Sequence, residues 1–119
     1  MAKRILICDD DEGILDMLTT LLECYGFGII AERNSLNVPA IIEQQKPDVI
    51  LLDLWMPVLS GDQLLKGIRS NPATKRLPVI IISASTEGKS IALSAGATDY
   101  ISKPFNIDAI IEKIEAAVH

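Results

Sequence analysis

Val49-Ile50-Leu51-Leu52-Asp53 is an apolar run, half of it β-branched, that ends on a carboxylate. Such a run, with no polar alternation, reads as a strand covered on both faces, the habit of parallel sheets. Ile5-Leu6-Ile7-Cys8 and Val79-Ile80-Ile81-Ile82 repeat the pattern, while Phe27-Gly28-Ile29-Ile30-Ala31 and Tyr100-Ile101 read as weaker strands. Between them the period changes. Ile14, Leu18, Leu21, Leu22 and Tyr25 mark one face of a helix, and Gly26 stops it. A second helix around Ile41 and Ile42 is entered near Pro39 and ends before Pro47. Leu64, Leu65 and Ile68 mark a third, after Gly61, and a brief fourth covers 89–95 with Gly96 as its stop. Ile107, Ile110, Ile111, Ile114 and Val118 mark the last. Strict alternation of five strands and five helices predicts an α/β fold of three layers, with crossover helices on both faces of a parallel sheet.

Composition agrees with one domain, expected over residues 2–118, with no output domain after it. The 119 residues are 49% hydrophobic, enough for a core without disulfides or structural metal. The net charge of −5 argues against binding nucleic acid directly through a basic surface. No apolar run is long enough to insert in a membrane, and the N-terminus lacks the apolar stretch of a signal peptide, so a cytoplasmic location is expected. Cys8 and Cys24 match no zinc or redox spacing and read as small buried hydrophobes. His119, the lone histidine, reads as a helix end rather than a phosphodonor.

In an open parallel sheet, ligands gather beyond the carboxyl ends of the strands. Those ends carry Asp9-Asp10-Asp11-Glu12, Asp53, Ser83-Ala84 and Ser102-Lys103-Pro104. Each alone has a plain alternative: Asp11 and Glu12 cap and charge the first helix, Asp53 is a turn residue, Lys103 is a solvated loop lysine. Taken together they imply chemistry. Two like charges 4 Å apart repel by about 4 kcal/mol at an effective dielectric near 20, so clustered Asp9, Asp10 and Asp53 must protonate or recruit a cation. Mg²⁺ suits such a set, Lys103 and the Ser83 hydroxyl suit phosphoryl oxygens, and a carboxylate is a competent nucleophile towards phosphorus.

Four motifs in order carry a resemblance: Ile7-Cys8-Asp9-Asp10, Leu51-Leu52-Asp53-Leu54-Trp55-Met56-Pro57 through Gly61, Ile82-Ser83-Ala84, and Gly96-Ala97-Thr98-Asp99-Tyr100-Ile101-Ser102-Lys103-Pro104-Phe105. Over essentially its whole length the chain is similar to the CheY-like receiver domains of two-component response regulators. The resemblance implies a doubly wound, flavodoxin-like sheet of order 2-1-3-4-5. It implies Asp53 as phosphoacceptor, with Mg²⁺ (or Mn²⁺) held by Asp10, Asp53, the Trp55 backbone carbonyl and Asp9, the last directly or through water. Lys103 takes the place of the phosphate-binding lysine, with a cis bond to Pro104. Ser83 and Tyr100 take the places of the switch hydroxyl and the switch aromatic. The implied partners are a sensor histidine kinase or histidine phosphotransfer protein and a downstream effector. The fourth helix, last strand and last helix would form the output face, which is also a homodimer surface in such domains. The implied protein is a switch rather than an enzyme in the ordinary sense.

Two stretches depart from the family pattern. The segment from Ser83 to Lys103 is short, which predicts a short, mobile fourth helix; Asn34-Ser35-Leu36-Asn37-Val38-Pro39 predicts a late start for the second. Trp55 reads either as a ring covering the site or as a half-exposed loop aromatic. Other classes fit less well. A haloacid-dehalogenase-type phosphatase finds Asp9-x-Asp11 but then Gly13 where Thr or Val is needed, and an FMN binder would place phosphate against acids. A calcium loop counted from Asp9 lacks an acid at its twelfth position. A pseudo-receiver that only docks partners would lack an acid or the lysine, and none is missing.

Overall fold

The computed structural model describes residues 2–84 and 87–118; His119 lies outside them. Strands β1 (Arg4–Cys8), β2 (Gly28–Glu32), β3 (Val49–Asp53), β4 (Val79–Ser83) and β5 (Asp99–Ser102) alternate with α1 (Glu12–Cys24), α2 (Val38–Gln45), α3 (Gly61–Ser70), α4 (Gly88–Ser94) and α5 (Ile107–Ala117). All pairings are parallel and the order is β2-β1-β3-β4-β5. This is the doubly wound α/β architecture that the alternation predicts.

The apolar runs work because strand side chains alternate between faces. Leu6, Cys8, Ile50, Leu52, Val79 and Ile81 join one core cluster with α2, α3 and α4 residues. Ile5, Ile7, Val49, Leu51, Ile80 and Ile82 join the other, with Leu15, Leu18 and Leu22 of α1 and Ile110, Ile111 and Ile114 of α5. Every β3 and β4 residue is buried. Each fully buried Val, Leu or Ile contributes about 1.5–3 kcal/mol, so the central strands hold the layers together.

Helix ends follow local chemistry. The Asp11 carboxylate caps α1 by accepting from the Gly13 and Ile14 N–H groups, and Glu12 lies in the first turn. Gly26 follows at φ +91°, the left-handed stop that a glycine adopts without strain. Asn34 caps a 3₁₀ turn over Ser35–Asn37, and α2 starts only at Val38 with Pro39 in its first turn, the late start expected. The fourth helix has seven residues, as short as its sequence suggests.

Two expectations need correction. Tyr25 is not part of the buried face of α1: it is the C-cap residue and is exposed, because the helix ends one residue earlier. Cys24 is exposed as well, on the outer side of the last turn, whereas Cys8 is buried as expected. Burial, reinforced by neighbouring carboxylates, pushes the Cys8 thiol up to about 12, and its Sγ lies 3.5 Å from Met56 Sδ. It is packing, not a reactive thiol.

One contact had no signature in the sequence. Arg69 near the end of α3 donates to the carbonyls of Gly96 (2.8 Å), Lys75 (3.1 Å) and Leu77 (2.7 Å) and to Thr98 Oγ1 (3.3 Å). Thr98 Oγ1 in turn accepts from the Val79 N–H. The guanidinium thus ties the exit of α4 to α3 and to the start of β4.

Candidate functional site

The register of the central strands brings the site together. Cys8 pairs with Leu52, so the residues that follow, Asp9 and Asp53, emerge side by side at the carboxyl edge. Ser83 pairs with Ser102, which delivers Lys103 to the same edge. Lys103 Nζ stands 3.2 Å from Asp53 Oδ1 and 3.4 Å from Asp9 Oδ2. The Lys103–Pro104 peptide is cis. Asp9 and Asp53 are buried, Asp10 is exposed, and Ser83 is wholly buried.

Electrostatics make this a charged pocket under tension. Burial, then repulsion from Asp9, raises the Asp53 carboxyl from 3.8 to about 6, although Lys103 pulls the other way. Burial also raises Asp9, against the Asp11 N–H, which donates to Asp9 Oδ1 at 2.9 Å, and against Lys103. For Lys103, burial lowers the ammonium, but attraction to Asp53 and Asp9 outweighs it and leaves it raised. One cation is shared by two buried anions, with the exposed Asp10 beside them.

The donor set fits a hard divalent cation. Asp9, Asp10 and Asp53 offer carboxylate oxygens that all lie within 4.8 Å of one another. All are oxygen ligands, the type Mg²⁺ takes, and the excess of three ionised carboxylates over the Lys103 ammonium is what a divalent ion neutralises. The DxD reading fails on geometry, because Asp11 is spent on capping α1.

Two flanking parts set the shape of the pocket. Ser83 carbonyl oxygen accepts from the Lys103 N–H at 2.8 Å and from the Tyr100 hydroxyl at 3.2 Å, so the residues expected to switch are already linked through one backbone atom. Trp55 is 54% exposed, which matches the half-exposed loop aromatic and not a ring sealed over the carboxylates.

Gly61 is a residue whose reason the sequence hid. A methyl at this position would stand 2.5 Å from the Asp53 carbonyl oxygen and 3.0 Å from Leu54 Cα, both backbone atoms that cannot yield. Its N–H donates to the Leu54 carbonyl at 2.9 Å, so α3 begins directly against the phosphoacceptor candidate's own backbone. Gly61→Ala is expected to lower stability by about 1–3 kcal/mol, as overpacking does, and to displace Asp53; urea unfolding and Mg²⁺ affinity measure the two effects.

Val58 in the same loop sits at φ +69° and is 80% exposed. A β-branched residue in the left-handed region carries strain of about 1–2 kcal/mol, with no buried contact in return. Val58→Asn is therefore expected to raise stability by about 1 kcal/mol, read as a higher urea midpoint at unchanged slope.

A doubly wound sheet with an acidic, lysine-bridged pocket at its carboxyl edge defines a class of α/β proteins that bind their ligands at that edge. The model of the response regulator receiver domain matches residues 5–115. The chain belongs to that family, whose members are signalling switches that work with histidine kinases and effectors. It is 34% identical over 120 residues to the phosphate regulon transcriptional regulatory protein PhoB of Pseudomonas aeruginosa, covering 99% of this chain and 52% of that protein. It is 33% identical to protein PilH of the same organism, covering 97% of each. The chain thus spans about half the length of PhoB and nearly all of PilH. Among solved structures, a CheY-like receiver domain protein from Methanospirillum hungatei superposes with a TM-score of 0.90 at 32% identity, covering 99% and 94% of the two chains. A Francisella response regulator receiver domain gives 0.89 at 35%, covering 98% and 96%.

Proposed function

We propose that this chain accepts a phosphoryl group on Asp53 from a phosphohistidine donor, a sensor histidine kinase or a histidine phosphotransfer protein, in a Mg²⁺-dependent reaction. The observation that carries the reading is Lys103 Nζ held between Asp53 Oδ1 and Asp9 Oδ2 at the mouth of the acidic cluster. The site residues act as follows. An Asp53 oxygen attacks phosphorus in line, the P–N bond to the donor imidazole breaks, and the imidazole leaves with a proton from solvent. The Lys103 ammonium exchanges its carboxylate contact for a phosphoryl oxygen, and the Ser83 hydroxyl donates to another. Bound at Asp9, Asp10, Asp53 and the Trp55 carbonyl, Mg²⁺ (or Mn²⁺) would supply the positive charge that lets two anions meet.

Transfer replaces the single carboxylate charge by about two on the phosphoryl group. That charge draws on Ser83, whose carbonyl also holds Tyr100, and so biases α4, β5 and α5, the face proposed to meet an effector or a second copy. The test is incubation with acetyl phosphate and Mg²⁺, followed by borohydride trapping of the acyl phosphate and mapping of the modified residue. Label at residue 53, lost on adding a chelator, is expected. A stable protein that takes no label, or takes it elsewhere, overturns the proposal.

A further inference from the structure

We infer that Gly88, at the start of α4, is a positioning residue for the Ser83 hydroxyl: only a residue without a side chain lets α4 close on Ser83 and Tyr100 and hold the hydroxyl at the site. The inference rests on the phosphoryl-transfer reading above and adds a residue to it.

Gly88 is buried. A methyl there would stand 2.9 Å from Ser83 Oγ, 3.0 Å from Ser83 Cβ and 3.0 Å from the Tyr100 hydroxyl. The first distance is closer than a methyl carbon comes to another atom in proteins, the other two are tighter than nearly all such contacts, and together they meet two of the residues assigned to switching. Neither partner can simply step aside. Ser83 Cβ sits on the end of a fully buried strand, and the Ser83 carbonyl is held by the Lys103 N–H and the Tyr100 hydroxyl. Sliding α4 along its axis is opposed at the other end. There Arg69 holds the Gly96 carbonyl, the Ala97 N–H donates to Ala92, and the Thr98 N–H donates to Val79. With the C-terminal end of α4 fixed, a methyl at Gly88 has two outlets. It rotates Ser83 Oγ to another rotamer, or it tilts the first turn of α4 away and takes Tyr100 with it. Either one moves the hydroxyl that would donate to the phosphoryl group.

The short link between Ser83 and α4 gives the contact its meaning. Gly88 lies only five positions after Ser83, so the first turn of the helix sits directly on the residue it must respond to. The glycine at this place is thus the point where a change at Ser83 passes to the helix without an intervening side chain.

The experiment is a cycle of wild type, Ser83→Ala, Gly88→Ala and the double variant. Each is assayed for the rate of acetyl phosphate labelling at saturating Mg²⁺ and for its urea midpoint. Gly88→Ala is expected to label about tenfold more slowly. The double variant should label at the rate of Ser83→Ala alone, because the hydroxyl that Gly88 positions is gone while the contact with the Cβ of residue 83 remains. A purely structural glycine would slow Ser83→Ala by the same factor again, and that result overturns the inference, as does an unchanged rate for Gly88→Ala. If Gly88→Ala alone does not fold, Tyr100→Phe, which removes the hydroxyl contact, serves as the background; the same tenfold loss is expected there, and an unchanged rate overturns the inference. Failure of the wild type itself to take label would instead strike the phosphoryl-transfer reading.

Discussion

Asp53→Asn will abolish acetyl phosphate labelling and, in the same protein, raise the unfolding midpoint at pH 8 in the presence of a chelator. The loss follows from chemistry: the amide has no anionic oxygen to attack phosphorus. The gain follows from the buried charge. Asp53 titrates at about 6 in the folded chain against 3.8 for an ordinary aspartate, with burial and Asp9 as the causes. Below about pH 3.8 the group is protonated whether the chain is folded or not, and it costs nothing. As pH rises through 6 the folded state must release a proton it holds more tightly than the unfolded chain does, so this contribution to stability is lost. The gap is worth about 3 kcal/mol at most, and less in practice because Lys103 relaxes with its partners. Asparagine keeps the volume and removes the charge, so it should gain about 1–2 kcal/mol at pH 8 and nothing at pH 4. Urea titrations at the two pH values measure it; a variant less stable than wild type at pH 8 would show that the Lys103 ion pair outweighs burial. Mg²⁺ should remove the same penalty from the wild type, seen as a midpoint that rises with metal.

Lys103→Met is expected to have the opposite sign. Lys103 is the cation that faces both Asp9 and Asp53, and its removal leaves two buried carboxylates to repel each other. Breaking one partner out of a buried ion pair costs about 3–5 kcal/mol, limited here because the carboxylates can take up protons instead. The loss should therefore be about 3 kcal/mol at pH 8 and clearly smaller at pH 5, where Asp53 is already largely protonated. Labelling by acetyl phosphate should fall by about a hundredfold, the scale of one lost charge-stabilising donor. Lys103→Arg keeps the charge and should recover stability, yet not the rate, because a planar fork does not replace a point charge of this reach. Equal losses at pH 5 and pH 8 would mean that Lys103 acts through packing of its stem.

Much of this was legible in the residues. Unbroken apolar runs marked the three buried central strands, since a residue type that packs on both faces leaves no polar alternation to read, and the two weaker runs became the half-buried outer strands β2 and β5. The acids at the strand ends announced a cluster, and Asp11 and Glu12 were correctly separated from it as helix caps. Where the reading slipped, the cause was local. Tyr25 and Cys24 carry the right type for a buried face, but α1 ends at Cys24 with Leu22 as its last buried residue, and spacing alone does not report where a helix stops packing.

The chain order of residues decides which side chains exist and at which strand ends they stand: carboxylates after β1 and β3, a hydroxyl at the end of β4, a lysine after β5. Which of them meet was decided only by the tertiary structure. Lys103 is 94 residues from Asp9 and 50 from Asp53, and it reaches both because the strand order and register place those ends together. The same holds for Gly61 and Gly88. A glycine in a sequence states only that a side chain is missing, and the physical reason lies in what that side chain would have struck: the Asp53 backbone at one, Ser83 and Tyr100 at the other. Contact across the sheet is a property of three-dimensional packing, and no one-dimensional spacing encodes it.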